Sequence, residues 1–95
     1  MATAAPITPI GHFNDAYAIY GAAAGLRALA QTDDDVDAIA ALIEPRFEAM
    51  LAAPARGLHD IADKAEAIIM EFGECDAIPT DTVMALLRDV RGMVQ

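Results

Sequence analysis

The sequence predicts an all-α domain, a small four-helix bundle behind a flexible N-terminal arm, on three observations. No segment alternates apolar and polar residues with a period of two over strand length, whereas four stretches carry apolar residues three and four apart. Capping and breaking residues separate those stretches: Thr32, the run Pro54 to Gly57, and the run Gly73 to Pro79. Although 56% of the chain is hydrophobic, it holds only three Phe and two Tyr, so the core must be aliphatic and alanine-rich, as helix-on-helix packing is.

Residues 1–13 read as the arm, because Pro6, Pro9 and Gly11 break any periodicity. They carry no positive charge and no continuous apolar run of signal-peptide length, so no secretory leader is expected. Residues 14–95 form the single helical domain. Helix one is expected from Asn14 or Asp15, either of which can cap its first amides, to about Gln31. Within it the run Ala16 to Ala30, AYAIYGAAAGLRALA, has Arg27 as its only charge. Ile19, Leu26 and Leu29 make a bulky stripe on it, Ala18, Gly21, Gly25 and Ala28 a stripe of small residues, and Tyr17 and Tyr20 an amphipathic third side. Gly21 and Gly25 each cost about 1 kcal/mol in a helix interior relative to Ala, which asks for a close packing contact. A helix apolar on most of its circumference is expected at the centre of a bundle or at the seam of an oligomer. The residues assigned to such a seam are Tyr17, Tyr20, Gly21, Ala24, Gly25 and Ala28.

Thr32 is the expected N-cap of helix two, with Asp33, Asp34 and Asp35 in a first turn that favours negative charge. Val36, Ile39, Ala40, Ile43, Phe47, Met50 and Leu51 keep one phase across Pro45, so one kinked helix is predicted rather than two. Helix three is predicted from Leu58 to Phe72, with Gly57 as N-cap and Gly73 as a left-handed C-cap. Its expected buried stripe is Leu58, Ile61, Ala65, Ile68, Ile69 and Phe72, and Asp60 stands one turn ahead of Lys64 in the order that favours an ion pair. Thr80 is the expected cap of helix four, which turns Val83, Leu87, Val90 and Val94 inward and sets Arg88 and Arg91 near its negative end.

The 95 residues make one domain with a formal net charge of −9. That balance disfavours direct contact with nucleic acid or anionic lipid, which is bound by clustered Lys and Arg, and the six basic residues here are scattered. The uncharged run Ala16 to Leu26 is too short to cross a bilayer. One cysteine, Cys75, lies between Glu74 and Asp76, where the carboxylates favour the unreactive thiol; a single cysteine fits a reducing, cytoplasmic setting.

No constellation carries chemistry. Asp33, Asp35, Asp37 and Glu44 match positions 1, 3, 5 and 12 of a calcium-binding loop, but Ala38 replaces the glycine of its sharp turn and a helical stripe runs through it. His12 and His59 share no ligand spacing. Glu44 and Glu48, like Asp60, Asp63 and Glu66, have the spacing of solvated helix faces, and no glycine-rich phosphate cradle occurs. No catalytic residue, metal ligand or cofactor is therefore expected.

From residue 52 onward, the runs AAPARGLHDIADKAEAI and LLRDVRGM resemble a group of small bacterial all-helical proteins of unknown function. The resemblance covers residues 52–93 and implies an all-helical domain, intracellular or borne on a mobile element, with no chemistry to carry over. The function expected is a non-enzymatic protein-interaction domain, homodimeric through helix one, whose partner is itself or another protein. The alternative is an acidic antagonist, a nucleic-acid-mimicking decoy that shows Asp33, Asp34, Asp35, Asp37, Glu44 and Glu48 to a basic protein.

Overall fold

Four helices in chain order, α1 (Pro9–Gly25), α2 (Asp33–Ala52), α3 (Leu58–Phe72) and α4 (Thr80–Met93), with a short 3-10 turn (Leu26–Leu29) after the first, make up the computed structural model. It describes residues 9–74 and 77–94; the first eight residues of the expected arm, Cys75, Asp76 and Gln95 lie outside the described residues. No strand occurs among the described residues, so the all-α prediction holds.

The first helix departs most from expectation. It begins at Pro9 rather than at Asn14, and Phe13, assigned above to the arm, is fully buried. Proline is well suited to the first helical position, where its missing N–H would have had no partner and its fixed φ is already helical. Phe13, Tyr17, Tyr20 and Ala24 then recur at helical spacing, and this aromatic side faces the core. Phe13 stacks on Tyr17 with centroids 5.6 Å apart, Tyr20 meets Phe47 of α2 at 5.6 Å, and Phe47 meets Phe72 of α3 edge-on at 5.8 Å. The rings bury more area than the aliphatic stripe would have, which decides the orientation. Ile19 and Leu29 are left exposed, so α1 is not the centre of the bundle but an outer helix covered on one side. Gly21 and Gly25 face open space, and no close helix approach accounts for them.

The second helix matches expectation closely. Thr32 accepts the Asp35 amide through its hydroxyl at 3.0 Å, and Asp35 accepts the Thr32 amide in return at 3.2 Å, a complete capping box. The helix runs unbroken through Pro45, and Ile43, Phe47, Met50 and Leu51 are buried in one phase on both sides of it. Val36 and Ala40 of the expected stripe are exposed and Ile39 is half-buried. The stripe enters the core only from Ile43 onward.

The bounds of α3 are as expected and α4 starts one residue early, at its expected cap; of the expected inward residues Ile68 is buried and Ile61, Ala65 and Phe72 are half-buried, while the others turn outward. The residues α3 buries are Asp60, Lys64, Ala67 and Ile68, while Leu58 and Ile69 lie 80% and 65% exposed. The residues α4 buries are Thr82 and Asp89, while Val83, Leu87, Val90 and Val94 point outward. Pro79, not Thr80, takes the N-cap position of α4, and its carbonyl accepts the amides of Thr82 and Val83. Gly73 is right-handed, with φ −60°; what requires glycine there is space, since a Cβ would meet the Ile69 carbonyl oxygen at 2.5 Å.

With nothing packed against Gly21, Gly21→Ala removes backbone entropy from the unfolded chain without a clash, and we expect it to stabilise the fold by about 0.5–1 kcal/mol. A rise of several degrees in the thermal midpoint is the expected reading; a fall would reveal a packing contact at this position after all.

Candidate functional site

Three polar clusters tie α3 to its neighbours. At the first, the Lys64 ammonium, fully buried, donates to the Leu51 carbonyl at 3.0 Å, to the Ala53 carbonyl, and to Asp89 Oδ2 at 2.5 Å. An ammonium has three donors, and each here has an acceptor. Leu51 and Ala53 supply carbonyls left over at the end of α2, the negative end of its dipole, so a cation suits the position. Arg88 adds a bond to Leu51 O at 3.2 Å and one to Asp89 Oδ1 at 3.3 Å, and the Phe13 ring lies 5.5 Å from the ammonium. Burial pushes the Lys64 pKa below its ordinary value and Asp89 opposes that shift.

At the second cluster, Arg27 grips Glu71 with two bonds of 2.9 and 2.6 Å, and the Tyr20 hydroxyl donates to the same carboxylate at 2.6 Å. Burial alone would raise the Glu71 pKa, but the bonds from Arg27 and Tyr20 outweigh it and hold the carboxyl below its ordinary range. Tyr20 is pushed well up, by burial first and then by Glu71. At the start of α3, Asp60 Oδ2 accepts the Arg56 amide and Nε at 2.9 Å each, and Arg56 reaches Asn14 Oδ1 at 2.9 Å. The bonds from Arg56 hold Asp60 below the usual carboxylate range. Asp60 and Lys64, expected to face each other on the surface, thus have separate partners inside.

These groups are saturated rather than poised. No buried side-chain nitrogen or oxygen among the described residues lacks a partner. His59, Asp60 and Asp63 are near enough to one another to share a cation, with His59 Nδ1 3.3 Å from Asp63, but Asp60 is committed to Arg56. That leaves two ligands on an exposed turn, fewer than the three that protein metal centres ordinarily supply.

The acidic residues singled out in the sequence are not brought together. Asp35 is spent in the capping box; Asp33, Asp34 and Asp37 are exposed at the start of α2. Glu44 and Glu48 lie exposed farther along, beside an open cleft of about 480 Å³ between α2 and α4 that Phe72, Asp81, Thr82 and Arg88 also line. Asp33 and Glu44 are joined by continuous helix, roughly 16 Å apart along its axis, so they cannot ligate one ion as a calcium loop does. Of the expected interface residues, Tyr20 is buried in the core of its own chain and unavailable to a partner, Tyr17 and Ala24 are half-buried, and Gly21, Gly25 and Ala28 are exposed.

Periodicity did not reveal the surface that the structure leaves open. Large apolar side chains stand outside on every helix and on the turn after α1: Ile19, Leu29, Val36, Leu58, Ile69, Leu87 and Val94 are all exposed. None of the helices is long and apolar enough to cross a membrane, among the described residues. No family model, curated protein or solved structure matches the chain.

The Lys64 cluster yields a first expected outcome. Lys64→Ala takes away the bond to Ala53 O and leaves Asp89 and Leu51 O only the longer bonds from Arg88, and we expect a loss of about 3 kcal/mol in urea unfolding. Replacing the pair by apolar residues, Lys64→Met with Asp89→Leu, removes both charges and should cost clearly less. A loss below about 1 kcal/mol for Lys64→Ala would show that the cluster does not hold the fold. The carboxylates yield a second. Asp60 and Glu71 titrate lower folded than unfolded, so their stabilisation is complete above the unfolded value of about 4 and is lost as pH falls through the folded ones. The thermal midpoint should hold from neutral pH to about 5 and drop below about 4, with a shallower drop in Glu71→Gln.

Proposed function

We propose that this chain is a non-enzymatic protein-interaction domain that works by associating with a second copy of itself. One observation carries the reading: the fold buries Lys64, Asp60 and Asp89 while Leu58, Ile69 and Val94 stand 80%, 65% and 78% exposed. For a chain alone in water both halves of that exchange are unfavourable, since charges lose hydration and apolar surface gains it. A partner that covers the apolar side chains removes the second cost. The polar clusters favour scaffolding over catalysis, because a saturated ion pair has no free group to offer a substrate.

Two uncovered surfaces compete for the contact. One is the outer side of α1, where Ile19, Ala22 and Gly25 are exposed; the other is the outer side of α3 and α4. The acidic-decoy reading rests on the net charge of −9 and gains nothing from the arrangement of the carboxylates, which are spread along α2. A single cysteine suits a reducing compartment, and we place the protein in the cytoplasm as part of the same proposal.

Light scattering from low to high micromolar concentration tests the reading. The expected mass rises from the 10.0 kDa of one chain toward twice that value. A mass fixed at one chain throughout overturns self-association, and a stable complex with a basic protein in its place would restore the decoy.

A further inference from the structure

The outward residues of α3 and α4 are ordered. On α3, Leu58, Ala62, Ala65 and Ile69 follow at intervals of four, three and four; on α4, Val83, Leu87, Val90 and Val94 follow at the same intervals. Four-three-four is the spacing with which one helix packs its side chains into the grooves of another. Seven of the eight are exposed, Ala65 is half-buried, and none is charged. In helical projection the α3 seam lies about 145° and the α4 seam about 120° round from the centre of the buried residues of its own helix, in the same rotational sense. Lys64, eight residues before the end of α3, pairs with Asp89, nine residues after the start of α4, so the two helices meet at nearly equal distances from the segment that joins them.

We infer that α3 and α4 pack as an antiparallel hairpin whose two seams share the side away from α1 and α2, that this side is the self-association surface, and that the same side of a second copy covers it, two hairpins forming a four-helix interface about a two-fold axis. The inference rests on the self-association reading and locates it. Its support is threefold. Six large side chains at these exposures offer on the order of 600 Å² of apolar surface, as much as the largest patch on a typical monomer, and the alanines between them bring it near the roughly 800 Å² per partner of a stable interface. The absence of charge in the seams lets two chains of net charge −9 meet without placing carboxylates against each other. The borders match as well. Exposed Glu66 flanks the α3 seam on its far edge and exposed Arg91 flanks the α4 seam on its own. A two-fold axis along the helices sets α3 over α4 of the second copy and brings each Glu66 beside the other copy's Arg91.

Mass measurement at matched concentration, with helical content by circular dichroism, tests this on the full chain. Val90→Asp places a charge in the seam at a position outside the core, and Ile19→Asp does the same on α1. The expected result is a dimer for the unaltered chain and for Ile19→Asp, and a helical monomer for Val90→Asp. Should Val90→Asp fail to fold, the border decides: Glu66→Arg and Arg91→Glu should each weaken the dimer, by about fivefold, and the two together should restore it. A dimer that survives Val90→Asp, or is lost with Ile19→Asp alone, overturns the hairpin face and leaves self-association standing. Failure of the double exchange to restore the dimer overturns the proposed two-fold. An unaltered chain that stays monomeric at high micromolar concentration overturns both.

Discussion

One buried ammonium sets the geometry of this molecule. Lys64 sits on α3, takes its carbonyl acceptors from the end of α2 and its carboxylate from α4, and lies under the Phe13 ring of α1. All four helices meet at this one side chain. Its desolvation is costly, and only complete satisfaction of its three donors makes the position tolerable. That demand fixes how α3 turns about its own axis, because the ammonium must reach Leu51, Ala53 and Asp89 together. Asp89 in turn fixes α4.

The outward apolar seams follow from that constraint. A helix offers the core only part of its circumference, and α3 has given that part to Asp60, Lys64 and Ala67. Leu58 and Ile69 are then carried out of the core, and the same reasoning carries Leu87 and Val90 outward from Asp89.

Local signals in the sequence marked the elements well. Thr32 with Asp35, Gly57, and the phase kept across Pro45 located α2 and α3, because caps and proline act through the backbone of their own turn. Orientation was legible only where one face was both apolar and uncontested, as at Ile43, Phe47, Met50 and Leu51. It was misread on α1, where Phe13 and Tyr20 displaced the Ile19 stripe, and on α3 and α4, where charged residues took the core. Nothing near Lys64 in the chain announces that its acceptors come from 11 and 13 residues upstream and its carboxylate from 25 downstream. Periodicity assigns a lysine to water by default, and a buried one is found only from its partners. The candidate surface was hidden by the same default, since Val83, Leu87, Val90 and Val94 read as a core stripe whether they face their own chain or another.

The Lys64 cluster also bears on how the molecule opens. If α4 swings away, a desolvated cation loses its counter-charge; if the last turn of α2 unwinds, it loses two carbonyls. Neither segment can fray cheaply while the other stays in place. Amide protons in the last turn of α2, in the middle of α3 and around Asp89 should therefore exchange with solvent as one cooperative unit, whereas the exposed first turns of α2, at the opposite end of that helix from Leu51, are free to open separately.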